Sequence, residues 1–581
     1  MHDLRITGGT IIDGTGGPRR QADVGVSAGR IVAIGSDVGP ATRTIDATDQ
    51  VVAPGFVDTH THLDAQLFWD PQATPSPLHG VTTVLGGNCG FTVAPLKPEH
   101  AEYLRRMLAR VEGMPLESLE AGLQWDWATF GEWLGGLDGR IAVNAGFSVG
   151  HSTLRRLAMG DAATEADASP EQLADMIDML HRSLSDGALG LTSSLALSHS
   201  DGNGRPVPSR RATHPELLAL ASAVGDHPGT FLGVNPGVGP FGEPVLDLLA
   251  GMSSMADRVL NWNALQVYAS RWDDAQRELA TSDYAAQHGG HVVAQAVPDP
   301  RRFYVSFLSG FLFDALPGWI EVFTMPLAER MHALGDPVIR ERLQAGVVSE
   351  DVPAMLRFHT NPARMSVVDT FAPANRGLNG RRVEEIAAVR GTSPFDTLLD
   401  IALSDELRTV FLPDPVGDDD RSWELRSQVL ADPRTVIGAA DAGAHLDVAS
   451  SFNYTTSVLA GLVRRRGLLT LEQAVRQLTD VPARLFGVRG RGRVAEGWFA
   501  DLVVFDPDTV GPLPEEIRYD LPAGARRIYA GAVGVTAVLV NGEPVAEEGT
   551  MTPALPGTVL RSGRDTETVT VASARALTAA T

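Results

Sequence analysis

His60 and His62 stand two residues apart at the end of the run VVAPGFVDTHTH. Side chains alternate along a β-strand, so residues two apart face the same way and both imidazoles should point at one spot. A pair of imidazoles suits a zinc-like ion. The lone cysteine of the chain, Cys89, closes a second such run, TTVLGGNCG, with Gly87, Asn88 and Gly90 around it. Three readings are open for it: a small core residue, a nucleophile, or a thiolate metal ligand. A nucleophile would want a histidine base held by a third group, and no local signature of that arrangement is seen. The glycines fit close approach of the backbone to a ligand or to a neighbouring strand. His151 follows a third run in SVGHSTLR, while Asp441 and His445 lie in GAADAGAH at the end of the last. His151 and His445 read equally well as groups at the site and as histidines whose hydrogen bonds orient others.

These groups are remote in sequence, so the elements that carry them decide whether they meet. Apolar β-rich runs alternate with amphipathic stretches such as SPEQLADMIDMLHRSLSDG, the α/β pattern of parallel strands joined by helices. The buried-strand candidates are eight: VVAPGFVDTHTH, TTVLGGNCG, IAVNAGFSVGH, GLTSSLAL, GTFLGVNPG, RVLNWNAL, HVVAQAV and VIGAADAGAH. Eight βα units are what a closed (β/α)8 barrel of the TIM type needs, with its chemistry at the C-terminal strand ends. The barrel is expected over residues 54–487. Short strands and tight turns fill LRITGG, GTIIDGTGG and ADVGVSAGRIVAIG, and return in ADLVVFDP and TAVLVNGEPV, where Asn541-Gly542 is a hairpin turn signal. Residues 1–53 and 488–560 are therefore expected to build one small β-sandwich domain from both ends of the chain. The gap before the eighth strand, residues 298–435, is far longer than a loop, carries helical patterns, and reads as a folded insertion over the barrel mouth. Residues 561–581 lack an anchoring pattern and are expected to be a loose tail.

The motif PGFVDTHTHLD after an N-terminal β segment resembles the signature of the amidohydrolase superfamily of metal-dependent hydrolases. Within it, GVTTVLGGNCGFTVAPL, SVGHSTLR, GALGLTSSLA and the late ADAGAH resemble the D-aminoacylase branch, the N-acyl-D-amino-acid deacylases. The likeness runs from about residue 3 to residue 550 and takes in RLFGVRGRGRVAEGWFADLVVFDP, similar to the family's return into the small β domain. It implies that His60 and His62 bind a metal and that Cys89 is a ligand where many relatives use a carbamylated lysine. It further implies that Asp441 touches the metal and shuttles the proton. The chemistry implied is hydrolysis of a C–N amide bond, of an N-acyl amino acid or a related small amide. A cyclic amide or imide is the alternative substrate, and a catalytically silent barrel serving as a scaffold is the alternative from another class.

Two departures accompany the likeness. The family pattern has a histidine at the end of strand five and another at strand six, the latter followed two residues on by a lysine that helps hold the substrate carboxylate. Here Asn235 (or Val234, one residue earlier) and Asn263 occupy those places, and Leu265 replaces the lysine. An amide is a poor zinc ligand but a good hydrogen-bonding group. His60, His62, Cys89 and Asp441 are thus enough for one divalent ion, zinc by preference, and one ion is favoured over two. Asn235, Asn263, His151 and His445 are left to face the substrate.

Composition excludes other classes. With 48 basic against 71 acidic residues the net charge is −23, which repels nucleic acid and anionic membrane. One cysteine forms no internal disulfide, the first residues lack the basic start and apolar run of a signal peptide, and no long uncharged apolar run is present. A cytoplasmic protein with a small-molecule substrate is expected; self-association into a homo-oligomer is left open.

Overall fold

The computed structural model describes residues 1–310, 312–438 and 440–579. All eight apolar runs form strands: β1 (Phe56–Asp58), β2 (Val81–Gly86), β3 (Asn144–Phe147), β4 (Gly190–Ser194), β5 (Phe231–Asn235), β6 (Leu260–Leu265), β7 (Val292–Ala296) and β8 (Thr435–Ile437). Their residues are buried almost without interruption, as strands covered on both faces must be. β1 pairs with β2 and β2 with β3, all parallel. The continuation of β3 at Val149–Gly150 pairs with β4, and parallel pairing then runs through β5, β6 and β7 to β8. Past their ends, the chains leaving β1 and β8 meet at a parallel bridge between Thr61 and Ala442. There the His62 N–H donates to the Ala442 carbonyl at 2.7 Å and the Asp441 N–H to the His60 carbonyl at 3.0 Å.

Helices link the strands. Pro170–Ser185 shows why: Ser169 and Gln172 form a capping box, Pro170 occupies the first turn, and Met176, Leu180 and Leu184 recur every fourth residue to give one buried face. Residues from the strands or immediately beside them, Val57, Leu85, Leu189, Phe231, Val293 and Val436, form a separate apolar cluster.

The expected loose tail is instead docked onto that cluster. Val569, Val571 and Ala574 belong to it, with Leu577 packed alongside. Thr566 bridges to Val488, and the Arg561 guanidinium grips the Asp138 carboxylate with bonds of 3.0 and 2.6 Å. Three small apolar side chains are a weak sequence signal, yet they suffice where the strands offer an apolar surface to cover. Ala580 and Thr581 lie outside the described residues.

Strands from both ends of the chain share a seven-stranded sheet, in which Leu502–Phe505 lies antiparallel between Val51–Pro54 and Val535–Val540. Asn541 and Gly542 both adopt positive φ, 48° and 81°, the backbone a tight two-residue hairpin demands. Asp501 joins this sheet to β3: it pairs with Arg491, accepts from the Asn144 amide at 3.0 Å and from the Asn541 N–H at 2.7 Å, and is fully buried. Removing one partner of a buried ion pair strands the other, so Asp501→Ala is expected to lower unfolding stability by about 3–5 kcal/mol. Urea unfolding measures it; a loss below roughly 1 kcal/mol, the scale of an exposed pair, would contradict this role.

Residues between β7 and β8 carry their own apolar core, with Phe307, Phe313, Trp319, Phe323 and Phe411 at its centre. Met365–Asp369 and Val410–Pro413 pair antiparallel within it. The first turn of this segment delivers Arg301 to Asp441.

Candidate metal centre

His60 and His62 lie on the extension of β1, their ring centroids 5.4 Å apart. His60 Nδ1 is 2.7 Å from Gln295 Oε1 on β7. The Gln295 amide nitrogen points to the Thr59 carbonyl at 3.3 Å, which makes Oε1 the acceptor, Nδ1–H the donor, and Nε2 a free lone pair aimed inward. Cys89 sits in the turn Asn88–Gly90 after β2, with φ of 56°. The Asn88 side chain holds the turn by donating to the Leu85 and Thr61 carbonyls at 3.0 and 3.3 Å. The flanking glycines allow close approach: a Cβ on Gly87 would lie 2.3 Å from the Ser148 carbonyl oxygen. Asp441 and His445 share the left-handed backbone, at φ of 53° and 49°. Non-glycine residues held there are uncommon and gather at functional sites.

The donor atoms converge. One atom each from His60, His62 and Cys89 lie within 4.8 Å of one another, all buried. Cys89 Sγ is 3.6 Å from His60 Nε2, and Asp441 Oδ1 is 3.1 Å from His60 Nε2 and 3.9 Å from His62 Nε2. The other Asp441 oxygen accepts from Arg301 at 2.5 Å. Burial pushes the Cys89 thiol well up, and the nearby Glu112 and Asp441 add to it, against hydrogen bonds from Asn263 and Asn235. A metal is the group that displaces such a proton. Burial pushes His62 well down, which keeps it in the neutral, ligating form. Burial opposes ionisation of Asp441 too, but the Arg301 guanidinium beside it holds the carboxyl well below the usual carboxylate range. Two imidazoles, a thiol and an ionised carboxylate at this spacing fit a divalent ion.

The remaining expected residues divide. The Asn263 amide donates to Cys89 Sγ at 3.4 Å. On β5 it is Asn235 that reaches the thiol, whereas Val234 points into the apolar core. His445 is half-buried beside the site, its backbone N–H donating to the Glu112 carbonyl at 2.5 Å. His151, expected at the substrate, has both ring nitrogens engaged inside the protein, with Ser193 Oγ at 2.9 Å and Glu216 Oε1 at 2.8 Å. Glu216 in turn accepts from Arg155 at 2.5 Å, so a buried charge network occupies this histidine. Three site residues escaped the sequence reading: Gln295, Arg301 and Glu112. Gln295 left a signal, a lone polar residue within the apolar strand HVVAQAV. Arg301 in PDPRRF and Glu112 in RVEGMP left none that spacing could reveal.

Imidazole, thiol and carboxylate groups thus meet past the C-terminal ends of parallel strands, an arrangement suited to metal-dependent hydrolysis. Residues 43–546 match the amidohydrolase family, and the chain belongs to it. It is 30% identical to D-aminoacylase of Alcaligenes xylosoxydans xylosoxydans, over 96% of this chain and 97% of that protein. A solved D-aminoacylase with a binuclear metal centre, described by one-metal activation and second-metal attenuation, superposes with a TM-score of 0.67 at 27% identity, over 97% of this chain and 100% of the other. N-acyl-D-glutamate deacylase of Bordetella bronchiseptica, complexed with zinc and a phosphonate mimic of the tetrahedral intermediate, gives 0.67 at 26% identity with the same coverage. The chain thus has the α/β amidohydrolase fold and is a metal-dependent hydrolase of carbon–nitrogen bonds other than peptide bonds, with a divalent ion as cofactor and a small-molecule substrate. No helix among the described residues is long and apolar enough to cross a membrane.

Proposed function

We propose that this amidohydrolase deacylates N-acyl-D-amino acids or closely related small amides, using one zinc ion held by His60, His62 and Cys89, with Asp441 at its edge. The convergence of Cys89 Sγ, His60 Nε2 and Asp441 Oδ1 carries this reading, and the D-aminoacylase likeness over the whole chain supports the substrate class. The bridge between Thr61 and Ala442 supports reading the eight strands as one closed barrel over 54–487, with 1–53 plus 488–560 as the small β domain. The separate core of 298–435 supports its reading as an insertion at the barrel mouth.

Held by these residues, a divalent ion would lower the pKa of water to roughly 7 and polarise the scissile carbonyl. The protein's own part is to place and move protons. Arg301 occupies one Asp441 oxygen and keeps the carboxylate ionised, leaving Oδ1 turned to the histidines. That oxygen takes the proton of the attacking water and returns it to the leaving nitrogen. Gln295 fixes the His60 tautomer so that Nε2 stays a lone-pair donor. Asn235 and Asn263, with both a donor and an acceptor, are placed to bond the substrate amide once the thiol binds metal.

Leu265, fully buried where the family's lysine would stand, favours a second reading: a cyclic amide or imide that carries no free carboxylate. The test is a panel of N-acyl amino acids of both hands, lactams and imides. Turnover of N-acyl-D-amino acids above their L forms is expected; turnover confined to imides would replace the first reading with the second. Asn263→Ala is expected to raise KM at least about tenfold, the cost of one or two lost hydrogen bonds to substrate. Zinc content should stay unchanged, and a variant stripped of its ion would make Asn263 a metal-site residue instead.

A further inference from the structure

The strand-five and strand-six positions offer amides, so the site lacks strong donors on that side. The opposite side supplies one. The helix Ala101–Val111 ends at Glu112, whose N–H still bonds the Leu108 carbonyl at 2.9 Å and whose own carbonyl accepts from the His445 N–H at 2.5 Å. Gly113 then turns the chain at φ of 57°, and a Cβ there would meet the His445 backbone at 3.2 Å. The backbone of Glu112 is thus clamped between the helix and the loop after β8, with its carboxylate directed inward. Its side chain is only 3% exposed, Oε2 lies 3.5 Å from His62 Nε2, and Oε1 is buried without a hydrogen-bond partner among the described residues. A buried carboxylate oxygen without a partner is costly unless something completes it.

The distances form a chain of neighbours, in which Glu112 adjoins the set through His62, beside the His60, His62 and Cys89 donors that all lie within 4.8 Å of one another. Cys89 Sγ to His60 Nε2 is 3.6 Å, His60 Nε2 to Asp441 Oδ1 is 3.1 Å, Asp441 Oδ1 to His62 Nε2 is 3.9 Å, and His62 Nε2 to Glu112 Oε2 is 3.5 Å. Metal bonds of roughly 2.0–2.3 Å set neighbouring donor atoms about 3–4 Å apart. We propose that Glu112 is a ligand of the metal, supplying from the helix after β2 the anionic donor that Asn235 and Asn263 do not. The proposal rests on the reading of this site as a metal centre.

Cobalt(II) substitution of the full chain tests it without recourse to activity. Affinity is measured by competition with a chelator, and the absorption spectrum reports both the thiolate-to-cobalt band and the d–d bands, which respond to coordination number. Glu112→Gln should weaken cobalt binding at least about tenfold and change d–d intensity while keeping the thiolate band. Unchanged affinity and d–d bands in that variant would overturn the assignment of Glu112 alone. A wild-type protein that takes up no cobalt, or shows no thiolate band, would overturn the metal centre and this assignment with it. If Glu112→Gln fails to fold, Glu112→Asp carries the same measurement, since the carboxylate withdrawn by one methylene should lose affinity and change the d–d bands; wild-type values there would overturn the proposal.

Discussion

Replacing Cys89 by serine is expected to empty the metal site while leaving the fold intact. The substitution is nearly isosteric, and the turn that carries residue 89 is held by Asn88 and by the Gly90 N–H bonded to Thr192 Oγ1 at 3.0 Å, neither of which involves sulfur. What changes is the donor. His60 and His62 would bind as neutral ligands, so a Cys89 thiolate would bring charge and soft affinity to the convergent set, whereas a serine hydroxyl would not ionise there. Outer partners of metal ligands alone are worth roughly 10–100-fold in affinity, so loss of a direct ligand should cost at least about 100-fold. Elemental analysis after desalting should find one equivalent of zinc in the wild-type chain and little in Cys89→Ser, with turnover recovered only in excess metal. A variant that keeps its ion and its rate would make Cys89 a packing residue.

Asp441→Asn should lower kcat at least about a hundredfold, the scale of a positioned acid/base. The amide preserves shape but neither accepts the proton of water nor carries it to the leaving nitrogen. It also leaves the Arg301 guanidinium, 11% exposed and bonded to Asp441 at 2.5 Å, without its counter-charge, so circular dichroism and zinc content belong beside the rate. A large fall in kcat with zinc retained identifies proton transfer as the function lost. A fall that tracks metal loss makes Asp441 chiefly a ligand, and near-normal kcat in a folded variant would remove it from the mechanism.

Much of the scaffold was legible because its signals are local. The pair His60 and His62 needs only the alternation of a strand to face one way, and the eight strands are short apolar runs that both covered faces require. Asn541-Gly542 announced its hairpin through the backbone conformations those two residues tolerate. The docking of residues 561–577 was not legible, since Val569, Val571 and Ala574 acquire meaning only from the strands beneath them. His151 looked like a site residue because it follows a strand, but Glu216, 65 positions away, engages its ring.

The amino-acid sequence by itself determined the family, the strand ends that carry the imidazoles and thiol, and the amides that replace two expected histidines. Those are matters of residue type and of period along one element. Only the tertiary structure decided that Gln295 orients His60, that Arg301 holds Asp441 ionised, and that Glu112 faces His62. Each is a contact between side chains of different elements, set by how helices and loops pack, and no spacing along the chain encodes that distance.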